Sequence, residues 1–289
     1  MNRIKGTGVA LVTPFDVDGK IDFVGLSKLL KHTAKGVDYY VVLGTTGESA
    51  TLSREEKTQV LQFVKENNKE KLPIVYGLGG NNTHEVLQQL AETNLEGVYA
   101  ILSVSPYYNK PSQEGIIKHF EAIADASPVP VILYNVPGRT SSNLTAQTIL
   151  RLALHDNILG VKEASGNFEQ CLNIAKGKPK NFLLISGDDM LALPLAGIGG
   201  SGVISVLANA YPLLFKRMDT LALAGDFVRA SKDLFKLVDL NPLMYEEGNP
   251  VGLKFLLSEM NICLPEVRLP LVKASDVLQQ KINALLALK

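Results

Sequence analysis

The chain has 289 residues, of which 46% are hydrophobic and 20% are charged, and its 29 Lys and Arg residues are balanced by 29 Asp and Glu residues. This composition is typical of a globular protein with a large core, and single α/β barrel domains often have this length. The formal net charge of zero and the absence of a basic run argue against nucleic acid or an anionic membrane as the main partner.

The remaining whole-chain features indicate a cytoplasmic protein. No apolar run has the length of a membrane span, and the first residues lack the apolar stretch of a signal peptide. The two cysteines, Cys171 and Cys263, lie far apart and form no metal-type pair. We therefore expect buried thiols in a reducing compartment.

Eight short apolar segments rich in β-branched residues predict eight strands. Most are continuous apolar runs rather than alternating ones, which is typical of parallel strands covered by helices. In chain order they are Gly8–Phe15, Asp38–Gly44, Pro73–Gly79, Gly97–Pro106, Pro130–Pro137, Ile158–Ser165, Phe182–Asp188 and Gly202–Ala208.

Amphipathic stretches between these segments predict helices. Ser53 followed by Glu56 has the spacing of a capping box, and Asn82 followed by Glu85 repeats that pattern. Another helix is expected after Ser112. Strand starts recur at intervals of roughly 20–35 residues, the length of a βαβ unit.

This alternation predicts a closed (β/α)8 barrel. An open, doubly wound sheet is the alternative, although no G-x-G-x-x-G pattern follows the first strand to support nucleotide binding.

The pattern becomes purely helical in the last part of the chain. We expect the catalytic barrel to cover residues 1–224 and a small C-terminal helical region to cover residues 225–289. Asn-Pro pairs at 241–242 and 249–250 separate the helices, because the residue before a proline leaves the helical region. The predicted helices are Leu213–Leu223, Phe227–Leu237, Val251–Met260 and Val272–Leu288.

Lys162 is the unusual residue of the sixth strand, because it lies among apolar neighbours. Burying an ammonium group is unfavourable unless it is paired or loses its proton, and a neutral amine is a nucleophile toward a carbonyl carbon. A structural role stays open, in which Lys162 pairs with Glu163 or extends from the strand end into solvent.

Polar residues follow the predicted strands at the ends where a barrel carries its functional site. The glycines of the Gly44–Gly47 turn would let backbone N–H groups approach a carboxylate or a phosphate, although a tight turn before the next helix explains them equally well. The residues expected at this rim are Thr45, Thr46, Tyr107, Tyr108, Tyr134, Arg139 and Lys162. The histidines and the Asp188-Asp189 pair show no metal-ligand spacing, so we expect no metal site.

Four motifs in one order resemble those of the dihydrodipicolinate synthases, the pyruvate-condensing enzymes of diaminopimelate and lysine biosynthesis. The resemblance covers essentially the whole chain, including the strand order and the helical C-terminal region. Together the motifs are far more specific than any one of them. They are GTTGE at 44–48, SPYYNKP at 105–111, YNVPGRT at 134–140 and GVKEA at 160–164.

The resemblance implies a reaction through a lysine imine. Lys162 would form a Schiff base with pyruvate, and the resulting enamine would be the nucleophile, so that no external cofactor is needed. Tyr134 would relay protons. Thr45 would link Tyr134 to Tyr108 in a chain of hydroxyls, with Tyr108 reaching in from a neighbouring subunit of a tight dimer.

The resemblance also implies how the substrates bind. Thr45 and Thr46 would hold the pyruvate carboxylate. Arg139 would bind the carboxylate of L-aspartate 4-semialdehyde or organise the entrance to the site, and the backbone around Ile204 would line the pyruvate pocket. Relatives are commonly homotetramers, so we expect a homo-oligomer built as a dimer of dimers.

Many members of this family are inhibited by lysine at a dimer interface. Here Arg54 and Lys57 stand where inhibited relatives often carry histidines. Two fixed cations would repel the ammonium group of a bound lysine by roughly 1 kcal/mol or more if poorly screened, so we expect weak or absent inhibition. The residues matching this possible regulatory site are Ser49, Ala50, Asn81, Glu85 and Tyr107.

Two alternatives remain open from the sequence. An aldolase acting on N-acetylneuraminate or on a 2-keto-3-deoxy sugar acid would share the lysine and the tyrosine. Arg139 favours the synthase, because a sugar-acid lyase needs hydroxyl-binding groups at that position. A non-catalytic homologue acting as a binding protein is the second alternative, but all four expected catalytic residues are present.

Overall fold

Eight parallel strands form a closed barrel in the computed structural model, which describes residues 4–287. In chain order, β1 to β8 are Gly6–Ala10, Tyr39–Val42, Ile74–Gly77, Ala100–Val104, Val131–Asn135, Ile158–Glu163, Leu183–Ser186 and Gly202–Ser205. Each strand pairs with the next, and β8 closes the barrel on β1. The predicted (β/α)8 barrel is confirmed, and the open doubly wound sheet is wrong because β1 and β8 are paired.

Twelve α-helices are found in the described residues. In chain order, α1 to α12 are Phe23–Thr33, Arg54–Asn67, Thr83–Glu92, Gln113–Ala126, Pro137–Thr140, Ala146–Leu152, Phe168–Gly177, Ala192–Ala196, Pro212–Leu223, Phe227–Leu234, Val251–Glu259 and Asp276–Ala287. Within residues 4–287, no helix combines the length and the apolar character that crossing a membrane requires.

The predicted helix starts have clear local causes. Ser53 and Glu56 form the expected capping box: the Glu56 N–H donates to Ser53 Oγ at 3.2 Å, and the Ser53 N–H donates to Glu56 Oε2 at 2.9 Å. Asn82 caps α3 by accepting the N–H of His84 at 3.1 Å. Ser112 caps α4 in the same way.

Several elements are shorter than predicted. The first segment was expected at Gly8–Phe15, yet β1 ends at Ala10. Val12 and Phe15 are almost fully buried although they lie in the loop, so the apolar run continues past the end of the strand. The last helix begins at Asp276 rather than at Val272, and Leu288 lies outside the described residues.

The apolar core has two layers. The larger layer lies between the strands and the surrounding helices. The smaller layer fills the barrel interior, where Tyr39, Ile132, Tyr134, Ile185 and Ile204 pack together. Tyr134 therefore belongs to the packed interior at the end of its strand, which leaves little freedom for its ring.

The C-terminal helices α10 to α12 follow the last barrel elements, and their loops contact the strand ends. Asn249 donates to Thr46, and Arg268 donates to Glu48, in the loop after β2. This part of the chain thus lies close to the rim where the functional residues were predicted. A domain boundary at residue 224 stays a prediction.

Candidate active site

Lys162 and Tyr134 lie side by side at the rim of the barrel. They are paired in the register of β5 and β6, and both side chains are buried, at 6% and 7% exposure. Lys162 Nζ lies 4.2 Å from the centroid of the Tyr134 ring, a cation–π distance. The structure thus brings together the residues expected to form the imine and to relay protons.

The fold does not support a structural role for Lys162, either as an ion-pair partner of Glu163 or as a side chain extended into solvent. The Glu163 carboxylate accepts hydrogen bonds from Asn135, Gln170 and the Ser165 N–H, so it is not the partner of the lysine. At 6% exposure, the side chain also does not extend into solvent.

Gly187 provides the room for the lysine side chain. A Cβ atom at this position would lie 2.9 Å from Lys162 Cε and 2.7 Å from Ala164 Cβ. Any larger residue would therefore displace the lysine or its neighbour. The sequence placed Gly187 in the seventh predicted strand but did not indicate its contact with Lys162.

The Thr45-Thr46 loop follows β2 as a single turn of 3-10 helix from Thr45 to Gly47. Thr13 Oγ1 donates to the Gly47 carbonyl at 2.7 Å, and Asn249 Nδ2 donates to Thr46 Oγ1 at 2.9 Å. Glu48 follows in the left-handed region, at a φ of 51°. These contacts hold the loop and the Thr46 hydroxyl in place beside the rim. Carboxylate binding by Thr45 and Thr46 stays a prediction.

An open cavity of about 910 Å³ begins at Thr45 and extends along the loop after β2, and among the described residues neither Thr46 nor Lys162 lines it. Thr45, Tyr134 and Arg139 all line it. Arg139 lies in α5 and is exposed, so its guanidinium is free to meet a ligand carboxylate. The wall combines apolar residues such as Leu43 and Val136 with many polar and charged ones.

The residues of the possible regulatory site line the same cavity. Arg54 forms an ion pair with Glu92 at 2.6 Å, whereas burial and the neighbouring Arg54 lower the pKa of Lys57. The candidate regulatory residues in the cavity wall are Ser49, Ala50, Asn81, Glu85 and Tyr107.

Among the described residues, neither Tyr108 nor Ile204 lines this cavity. Tyr108 is 88% exposed and has a φ of 72°, a left-handed conformation that is strained for a tyrosine. Ile204 is fully buried in the barrel interior, where it pairs with Gly8 of β1. The predicted hydroxyl chain from Tyr134 through Thr45 to Tyr108 stays a prediction.

Sequence reasoning missed two contributors to the site. Asn249 lines the cavity and is 7% exposed, but the Asn249-Pro250 pair was read only as a helix break. Lys254 forms a buried ion pair at 2.6 Å with Glu48, the residue that directly follows the Thr45–Gly47 turn. The signal for Lys254 was the one used for Lys162, a charged residue within an apolar stretch.

No cluster of three possible metal ligands occurs among the residues that the structure describes. The side chains at the rim supply a buried amine, a phenol, hydroxyls and a guanidinium. A lysine nucleophile with a nearby proton carrier and carboxylate-binding groups is suited to imine chemistry on a 2-oxo acid.

Comparison with known proteins gives one consistent result. A family model described as the dihydrodipicolinate synthetase family matches residues 3–289. A 4-hydroxy-tetrahydrodipicolinate synthase from Cytophaga hutchinsonii is 52% identical over 284 residues, which cover 98% of this chain and 96% of the relative.

Solved structures agree with this similarity. The dihydrodipicolinate synthase of Thermotoga maritima superposes with a TM-score of 0.96 at 32% identity, covering 99% of this chain and 98% of that one. A chloride-inhibited dihydrodipicolinate synthase of Acinetobacter baumannii, complexed with pyruvate, has a TM-score of 0.95 at 38% identity and covers 98% of both chains.

Proposed function

The chain belongs to the dihydrodipicolinate synthetase family, and from this premise we infer that Lys162 carries out its reaction. The enzyme is a lyase that condenses pyruvate with L-aspartate 4-semialdehyde to 4-hydroxy-tetrahydrodipicolinate, in lysine and diaminopimelate biosynthesis. The reaction runs through a lysine–pyruvate imine and uses no separate cofactor. The observation that carries the assignment to Lys162 is its burial at 6% exposure against the Tyr134 ring.

The reaction proceeds through the imine and the enamine derived from it. The Lys162 amine adds to C2 of pyruvate, and loss of water leaves the imine. Loss of a proton from C3 then gives the enamine, whose C3 attacks the aldehyde carbon of the second substrate. The amino group of that substrate closes the ring at C2 and releases Lys162.

Tyr134 is the proton carrier in this proposal. Its side chain lies beside Lys162 in the β5–β6 register, so its hydroxyl is close to the imine and to the incoming aldehyde. The proton would travel through Thr45 to Tyr108 of a neighbouring subunit. The 88% exposure of Tyr108 supports this role, since a partner subunit would bury the ring.

Two groups bind carboxylates in this proposal. Thr45 and Thr46 hold the carboxylate of pyruvate, supported by the contact from Asn249 to Thr46. Arg139, exposed at the cavity wall, binds the carboxylate of the semialdehyde. The backbone around Ile204 forms the floor of the pyruvate pocket.

The proposed assembly is a homotetramer made of two tight dimers. The exposed pair Tyr107 and Tyr108, at 43% and 88% exposure, would lie in the tight interface. We place the enzyme in the cytoplasm, where its two free, buried cysteines would stay reduced.

Lysine inhibition is proposed to be weak or absent. Arg54 and Lys57 both line the cavity that holds the possible regulatory residues. Although Glu92 pairs with Arg54, Lys57 has no such partner among the ion pairs of the described residues. A bound lysine would place its ammonium group near this cation.

The substrate assignment is tested by comparing two activities of the same preparation. Turnover of pyruvate with L-aspartate 4-semialdehyde is expected, without retro-aldol cleavage of N-acetylneuraminate or of a 2-keto-3-deoxy sugar acid. Cleavage activity alone would refute the assignment. An Arg139→Ala variant should raise KM for the semialdehyde much more than KM for pyruvate.

A further inference from the structure

A buried polar network lies behind the two principal residues of the site. Asn135 directly follows Tyr134 in β5, and Glu163 directly follows Lys162 in β6. The strand register pairs Tyr134 with Lys162 and Asn135 with Glu163. Because side chains alternate along a strand, the second pair lies on the helix-facing side of the barrel wall.

The Glu163 carboxylate is buried, and no cation of residues 4–287 forms an ion pair with it. It is 4% exposed, and Asn135 Nδ2 donates to both of its oxygens, at 3.2 and 2.9 Å. The Ser165 N–H donates at 2.8 Å and Gln170 Nε2 at 3.1 Å. Since all these donors are neutral, hydrogen bonds alone compensate for the burial of the charge.

Backbone and amide contacts fix the direction of each donor. The Leu144 N–H donates to Asn135 Oδ1 at 2.9 Å, which turns Asn135 Nδ2 toward Glu163. Asn143 Nδ2 donates to Gln170 Oε1 at 2.9 Å, which turns Gln170 Nε2 the same way. Position 163 must therefore present acceptors only, and a carboxylate does so while an amide does not.

We propose that Asn135 and Glu163 are positioning residues that hold Tyr134 and Lys162 side by side. Their contact crosses the same two strands one residue beyond the Tyr134–Lys162 pair, so it fixes the distance between the two backbones at the rim. Imine formation depends on this alignment, because small misplacements of reacting groups slow reactions strongly. The inference rests on the proposed roles of Lys162 and Tyr134.

The test replaces Glu163 by glutamine, which has nearly the same size but directs N–H groups at other donors. For Glu163→Gln, we expect kcat and the rate of borohydride-trapped imine formation with pyruvate to fall about tenfold or more at a temperature well below unfolding. KM for the semialdehyde should change less than kcat, since Arg139 is not part of the network.

Asn157→Asp is the matched control. Asn157 directly precedes β6, and its Nδ2 donates to the carbonyls of Ala124 and Ser127 at 2.8 and 2.9 Å. The substitution replaces the amide NH2 of Asn157 by an oxygen, so that a carboxylate faces two carbonyl oxygens. It is the reverse exchange of Glu163→Gln and lies at the opposite end of β6. The variant should have a lower melting temperature, because its hydrogen bonds are lost. Its kcat should stay within about twofold of the wild type, because position 157 lies far from the rim.

Glu163→Asp separates hydrogen bonding from size. It keeps the acceptor-only carboxylate but is one methylene shorter, and it should retain more activity than Glu163→Gln. Two results would overturn the proposal: a Glu163→Gln variant that loses melting temperature like Asn157→Asp but keeps kcat, or a Glu163→Asp variant slower than Glu163→Gln. Failure of the wild type to form an imine at Lys162 would instead overturn the proposed function itself.

Discussion

Lys254 and Glu48 form a buried ion pair that joins α11 to the loop after β2. Lys254 Nζ lies 2.6 Å from Glu48 Oε1, and the side chains are 0% and 2% exposed. Nζ also donates to the Glu266 carbonyl at 2.7 Å and lies 4.0 Å from the centroid of the Phe15 ring. Lys254→Met keeps the length of the side chain but removes the charge and these contacts.

The expected loss of stability is large because Glu48 would stay buried as an unpaired charge. Its described partner would then be the N–H of Arg268, at 3.1 Å. Removing one member of a buried pair typically costs about 3–5 kcal/mol. This is a substantial part of a total unfolding free energy of about 5–15 kcal/mol. At roughly 2 °C per kcal/mol for a chain of this size, the melting temperature should fall by about 6–10 °C.

Urea denaturation of three variants measures this loss. Lys273→Met is the matched control, because Lys273 pairs with Glu266 at 2.6 Å but is 59% exposed, and its loss should cost less than about 1 kcal/mol. The double variant Glu48→Gln/Lys254→Met should recover much of the stability, because no unpaired charge remains. A Lys254→Met protein as stable as the Lys273→Met protein would refute this reasoning.

Three further outcomes are expected. Tyr134→Phe keeps the ring beside Lys162 but removes the hydroxyl, so kcat in a coupled assay should fall about 10²- to 10⁴-fold. A loss of less than about tenfold would contradict a proton-relay role. Lysine at sub-millimolar concentration should leave the initial rate unchanged, because Arg54 and Lys57 would repel its ammonium group. Potent inhibition would show that these two cations do not prevent lysine from binding. Burial raises the pKa of Asp219 from 3.8 to about 7, which favours the protonated form in the folded chain. Its stabilising contribution is therefore complete below pH 3.8 and is lost as the pH rises to about 7. Relative to Asp219→Asn, the unfolding free energy of the wild type should fall across this range by up to about 1.4 kcal/mol per pH unit, and parallel pH profiles in urea melts would contradict the shift.

Much of the architecture could be predicted because it depends on short-range patterns. Continuous apolar runs separated by capped amphipathic stretches indicate parallel strands and helices, and their number indicates a barrel. Lys162 stood out for the same reason, as a charge within an apolar strand. Tyr134 and Arg139 could be placed beside it only because strand ends meet at one rim.

The contacts that tune the site could not be predicted, because they join residues far apart in the sequence. Asn249 and Thr46 are separated by 203 positions, and Asn135 and Glu163 by 28. No local pattern distinguishes such residues until the fold brings their polar atoms together. Strand ends were predicted too long for a related reason, since loop residues such as Phe15 are buried as deeply as strand residues.

The identity of the residue that bonds to pyruvate tests the central claim most directly. The wild type is incubated with pyruvate, the imine is reduced with borohydride, and the modified peptide is found by mass spectrometry. We expect one adduct, on Lys162, and none in a Lys162→Ala variant with the same melting temperature. An adduct on another lysine, or no adduct in an active enzyme, would contradict the account.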